Sequence, residues 1–178
     1  MNCTALFPSL GLRLMLVVSV LQITTAEAKV KALKLQEVVK DADFIGIVEV
    51  TSIMMAQKGR RVATAKVVAL WKGNVTETVQ FLAEPTWECD VSDAKAGERI
   101  VLFASKGSGN KSVYEIAHSG RGRMPITDKG EKTVCLCSYD IILPKGSRGP
   151  ESPNIGESAT TLVTVEELKR LVEQSKKK

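Results

Sequence analysis

The chain is poor in the residues that most catalytic chemistry needs. It contains one histidine, His118, in 178 residues, and aromatic side chains make up only 4%. With one imidazole, nucleophilic catalysis of the Ser/His/Asp or Cys/His kind has to run through His118, and no serine or cysteine is marked out as its partner. The glycine pairs in GSGNK and GRGR read as turns and lack the spacing of a phosphate-binding loop. Glu88, Asp90 and Asp93 crowd one segment without the glycine and terminal glutamate of a calcium loop. No aromatic-rich strand accompanies the positive charge, which argues against nucleic acid. The sequence therefore assigns no catalytic residue and no cofactor, and the expectation is a protein that is not an enzyme.

Long apolar runs are also missing. LMLVVSVLQI, from Leu14 to Ile23, is about half of the ~20 residues that a membrane-spanning helix needs. It follows a weakly basic opening and precedes Ala26-Glu27-Ala28, a small-x-small cleavage pattern. Residues 1–28 are thus expected to be a secretory signal, with the mature chain starting at Lys29. Secreted or periplasmic localisation follows, with no membrane span after cleavage. Arg13 and Glu27 cancel, so the net charge of +5 carries over to the mature chain.

About 150 residues remain, enough for one domain with its own core. KALKLQEVVKDAD places Leu35, Val38, Val39 and Ala42 on one helical face. FIGIVEVTSIMMA then shifts to residues of high strand propensity, with Phe44, Val48 and Val50 on one side of the pleat and Glu49 and Thr51 on the other. After the turn QKGRR, VATAKVVALWKG resumes a two-residue period through Ala63, Ala65, Val67, Ala69 and Trp71, predicting a hairpin with Trp71 pointing inward. Val75, Val79 and Phe81 define a third strand, GERIVLFAS a fourth and SVYEIAHS a fifth; KTVCLCSYDII is a further extended run. KGSRGPESPNIGES reads as a linker or surface loop. TVEELKRLVEQ opens on Thr164 with Glu167 three residues later, a capping box that starts a C-terminal helix.

Five or six short antiparallel strands flanked by two helices predict a mainly β protein: an OB-like barrel with a short N-terminal helix and a C-terminal helix. Closure leaves fewer unpaired edges than an open sheet of the same length, and a β-sandwich is the alternative. The barrel domain is placed at residues 29–145, with residues 146–178 forming the loop and the helix packed on or tethered to it.

The cysteines carry the compartment into the fold. Export implies oxidising surroundings, so Cys89 is expected to form a disulfide with the late strand. On a strand Cys135 and Cys137 point to the same face, and either could reach it. The remaining thiol is then a buried inert cysteine or the link in a disulfide-bonded dimer. Cys89, Cys135, Cys137 and His118 have the composition of a Cys₃His zinc site, but a single residue between two cysteines makes a poor chelate, so no metal is assigned. Asn74-Val75-Thr76 and Asn110-Lys111-Ser112 match glycosylation acceptors.

ADFIGIVEV, a basic turn, AKVVALWKG, then Cys89 followed by GERIVLF, and a late cysteine resemble the secreted tissue inhibitors of metalloproteinases and related netrin-like modules, over about Leu35 to Tyr139. The resemblance implies the same barrel. Among the two late cysteines it favours Cys137, followed by Ser138, as the partner of Cys89, leaving Cys135 unpaired. Those inhibitors open on a cysteine whose amine and carbonyl grip the protease zinc, whereas the expected opening here is Lys29-Val30-Lys31, so zinc-directed inhibition is not carried over.

The function expected is that of an exported module that binds another protein, a protease being one class of partner. The alternative is a basic module that recognises an anionic surface polymer. Candidate binding residues are Trp87, Lys58, Arg60, Arg61, Arg121 and Arg123. Trp87 could instead cover the Cys89 disulfide, and aromatic side chains favour interface centres.

Overall fold

The structure, a computed structural model, describes residues 32–56, 59–85, 92–107, 112–129, 132–137, 140–145, 147 and 161–177. The elements, in chain order, are β1 (Leu33–Lys34), α1 (Leu35–Asp41), β2 (Phe44–Met55), β3 (Arg61–Lys72), β4 (Thr78–Leu82), β5 (Arg99–Lys106), β6 (Tyr114–Ile116), β7 (Arg123–Lys129), β8 (Lys132–Cys137), β9 (Ile141–Ile142), β10 (Thr161–Thr164) and α2 (Val165–Ser175). The expected signal segment lies outside the described residues.

Five of these strands close a barrel. Strand β2 pairs with β3 on one side and β5 on the other, β3 continues to β4, and β6 pairs with both β4 and β5 to complete the ring. The closing contact, Phe81 opposite Tyr114, is parallel, which makes the ring the Greek-key, OB-like barrel that the sequence predicts. Its interior is filled by Phe44, Val48, Val50, Ala63, Ala65, Val79, Phe81, Ile100, Leu102 and Ala104. Phe44 and Tyr114 meet at a tilt, ring centroids 6.0 Å apart.

The other half of the fold grows from β5. One edge of β5 serves β2, while the opposite edge is divided: Ile100–Leu102 pairs with β7 and Ala104–Lys106 with β6. At the branch point the Phe103 N–H donates to the Gly122 carbonyl at 2.8 Å, and the Phe103 carbonyl accepts from the Ala117 N–H at 2.9 Å. A Cβ on Gly122 would fall 2.3 Å from that carbonyl, so only glycine lets the turn close this tightly. From β7 the chain runs antiparallel through β8 to β10.

This extension and the two helices enclose a second core. Val101, Phe103, Met124, Cys135, Cys137 and Val163 face Leu35, Val38 and Val39 of α1 and Leu168, Leu171 and Val172 of α2. Strands β2 and β5 therefore bury both faces: Ile100, Leu102 and Ala104 enter the barrel while Val101 and Phe103 enter the outer core. Each of the larger ones, Ile100, Val101, Leu102 and Phe103, contributes about 1.5–3 kcal/mol by leaving water. In the β2–β3 ladder Val48 pairs with Val67 but Ile47 with Ala69, so Val68 is an extra residue on β3 and the positions after it present the opposite face. For this reason Trp71, expected to continue the inward series of Ala63 and Ala65, packs in the outer core instead.

The C-terminal helix begins where the sequence places it. Thr164 Oγ1 accepts from the Glu167 N–H at 3.2 Å, but the reciprocal half of the capping box is not made, because the Glu167 carboxylate is held by Arg170 at 2.6 and 2.7 Å.

Candidate interaction surface

The expected basic surface is largely neutralised. Arg60 Nε lies 2.9 Å from Glu84, and Arg61 Nη1 lies 2.7 Å from Asp93. Arg123 grips both oxygens of Glu98, with Nε 3.0 Å from Oε1, and Arg121 pairs with Asp140; all four side chains of these two pairs are at most 16% exposed. Each of these arginines spends its charge on a carboxylate of the fold. Lys58, Trp87 and Cys89 lie outside the described residues.

Cys135 and Cys137 are free thiols, wholly buried beneath α2. Burial pushes the Cys135 thiol up to about 12, helped by the neighbouring Cys137 and Glu166 charges. Burial, then the charge of Asp140, does the same to Cys137, also to about 12. At neutral pH both are protonated and unreactive. A disulfide between two copies through Cys135 would first require solvent to reach a side chain with no exposure.

His118 sits in the turn after β6, in a left-handed conformation with φ 52, followed by Ser119 at 55 and Gly120 at 87. Its Nε2 lies 3.3 Å from Asp41 Oδ2 without the alignment of a hydrogen bond, so the two form an ion pair only when the ring is protonated. Among the described residues no group of three or more His, Cys, Asp or Glu side chains could hold a metal ion, and no helix is long and apolar enough to cross a membrane.

The motifs behind the family resemblance have structural jobs here. In WKG, Trp71 fills the outer core, and Lys72 Nζ donates to the carbonyls of Val39 and Lys40, at 2.8 and 3.2 Å, at the C-terminal end of α1. Gly73 has φ 101, and a Cβ there would lie 2.8 Å from the Asp43 carbonyl. In GERIVLF, the Gly97 N–H donates to Val50 O, Glu98 holds Arg123, and the four apolar residues alternate between the two cores.

The surface that stands apart is the outer end of the β2–β3 hairpin. Pairing with β5 covers β2 only from Phe44 to Glu49, so among the described residues the stretch from Thr51 to Met55 has β3 as its strand partner on one side alone, with Ile53 still packed against the barrel core. At its end Met54 and Met55 are 60% and 69% exposed. Met54 is opposite Val62, and Val62 is opposite Leu82, so the three share the outer face in one row across three strands. The ion pairs of Arg60 and Arg61 flank this row with charge already balanced. The sequence signal for the patch was the Met-Met pair immediately before the turn, where a solvated strand end would ordinarily be polar.

A shallow groove of about 370 Å³ lies further along the same wall, lined by Thr64, Val75, Thr78, Val79, Gln80, Ser112 and Tyr114. No lysine or arginine lines it, so it does not suit an anionic polymer. No family model matches the chain, and no curated protein matches it either.

Proposed function

We propose that this chain is an exported, non-enzymatic module that binds another protein through the tip of its β2–β3 hairpin. The observation that carries the reading is the exposure of Met54 and Met55, 60% and 69%, at the end of the hairpin, with Met54 in line with Val62 and Leu82. Apolar side chains grouped at a hairpin end and rimmed by balanced ion pairs have the anatomy of a protein interface, with an apolar centre and a polar border. Methionine is flexible and polarizable, which suits a surface that moulds to its partner. A protease is one class of partner that the family resemblance suggests.

The rival reading, recognition of an anionic surface polymer, loses support because Arg60, Arg61, Arg121 and Arg123 are each paired with a carboxylate. Export remains part of the proposal; the Cys89–Cys137 bond expected with it is not formed in this structure, where Cys137 is a free, buried thiol, and thiol counting with and without reductant tests whether the exported protein carries it. For the binding role, the mature protein and its Met54→Lys, Met55→Lys variant are used to capture partners from the native exported fraction. The reading expects a discrete protein held by the wild type in moderate salt and lost by the variant. Equal capture by both, or retention on a heparin-type column that persists to high salt, contradicts it.

A further inference from the structure

Strand β2 is paired on both sides only along its first half. The Ala56 N–H donates to the Arg60 carbonyl at 2.6 Å, which makes positions 56 and 60 a hydrogen-bonded pair. In an antiparallel ladder such pairs alternate, so Met54 with Val62 is the next one, and Met55 with Arg61 falls between. The Arg61 carbonyl confirms the phase by accepting from the Ala83 N–H of the strand on the far side, at 3.0 Å. The same alternation applies to Ile53 opposite Ala63. The backbone N–H and C=O groups of Ile53 and Met55 therefore point away from β3. On that side the pairing of β5 with β2 stops at Glu49, and beyond it, among the described residues, Val50 is engaged by Glu98 O and the Gly97 N–H. Among the described residues no strand pairs with the outer edge of β2 from Ser52 to Met55.

An edge that offers unpaired backbone groups next to exposed apolar side chains is a template for an added strand. Natural edges are commonly guarded by lysine, proline or an inward charge. Here the edge carries Ser52, Ile53, Met54 and Met55, and among the described residues the cations of the hairpin turn, Arg60 and Arg61, are already bound to Glu84 and Asp93. The charge balance of the rim selects against a strongly charged partner. The side-chain row of Met54, Val62 and Leu82 selects for an apolar residue on the outer face of the incoming strand.

We infer that the outer edge of β2 from Ser52 to Met55 is a strand-addition site: an extended segment of a partner protein, with alternating apolar residues and little net charge, pairs with the backbone of Ile53 and Met55. This deepens the protein-binding reading and rests on it. It names the mode of recognition, in which main-chain hydrogen bonds hold the partner and side chains at every second position choose it.

The probe is a phage-displayed library of random linear peptides, selected on the mature protein and counter-selected on its Met55→Pro variant. Proline at position 55 removes an N–H that faces outward and spares the β2–β3 ladder. The expected result is a set of uncharged peptides with apolar residues at alternate positions, whose binding slows amide exchange at Ile53 and Met55 at least about tenfold. A copy of the selected peptide methylated on alternate backbone nitrogens should lose binding by at least about tenfold, a check that does not depend on how well the variant folds. Selected peptides that leave those two amides exchanging at the free rate overturn strand addition, even if they contact Met54 and so leave the protein-binding reading standing. A library with no peptide enriched on the wild type over the variant overturns it as well.

Discussion

The carboxylate of Glu84 receives the guanidinium of Arg60 at 2.9 Å, and its second oxygen accepts the N–H of Arg61 at 2.8 Å, so one side chain at the end of β4 fixes two consecutive residues of the hairpin turn. The Arg60 hydrogen bond holds the Glu84 carboxyl below its ordinary value of 4.5; burial opposes it and the Arg61 N–H adds to it. A carboxyl lowered in the fold stabilises it above the unfolded value, and the effect disappears as pH falls through the lowered one. Glu84→Gln is expected to lower stability at neutral pH by about 1 kcal/mol or less, as for a solvent-accessible pair. The difference from wild type should shrink as the pH falls well below 4.5, which denaturant midpoints at two pH values measure.

Cys135 gives a prediction of the opposite sign. A thiol raised to about 12 in the fold, from an ordinary value of 9.0, favours folding below pH 9, and that contribution is lost as pH rises from about 9 toward 12. In the native protein Cys135 should be silent to an aromatic disulfide reagent at pH 8 and react fully once the chain is unfolded. Cys135→Ser, which buries a hydroxyl in the apolar outer core, should destabilise by about 1–3 kcal/mol, read from the same denaturant curves.

At the branch point of the sheet, Gly122→Ala must move either the Phe103 carbonyl or the turn from Ala117 to Gly122, because the added methyl would sit 2.3 Å from that oxygen. The expected loss is at least about 2 kcal/mol. Gly59→Ala is a comparison at a position where no atom lies within 4 Å of the added carbon but where φ is 73, so any loss there reports left-handed backbone strain alone. Thermal unfolding of the two variants separates the causes.

The Glu98–Arg123 pair sits at exposures of 15% and 14%, behind Gly97. Arg123→Met alone leaves a carboxylate in a place that water barely reaches, and a loss of about 3 kcal/mol is expected. Replacing Glu98 with Gln in the same protein should recover part of it. Retention on a heparin-type column should be unchanged by Arg123→Met if this arginine is structural; earlier elution would return it to the binding surface.

The strands whose two faces see different surroundings were legible in the sequence. Val79 and Phe81 alternate with Thr78 and Gln80, and the barrel follows from that period. Strand β7 was missed because RMPITDK carries Pro125 and three charges and shows no clean alternation, although it contributes Met124 to the outer core. Trp71 was placed in the core but on the wrong side, because an extra residue, Val68, lies between it and Ala65, and such a shift leaves no mark on composition. KTVCLCSYDII reads as one run, yet the structure divides it between β8 and β9, the latter pairing with β1. The binding surface was the least legible part. Arginines clustered beside glycines look like free charge, and their partners, Glu84, Asp93, Glu98 and Asp140, come close only through tertiary folding.

The hairpin tip can be watched through its own methyl groups. In protein carrying ¹³C-methyl methionine, Met54 and Met55 report on the end of the hairpin, and Met124, with no exposure, is an internal reference in the outer core. On addition of the captured partner, the Met54 and Met55 signals should shift or broaden while Met124 stays in place. Unchanged Met54 and Met55 signals in a sample where the partner is bound would contradict the account.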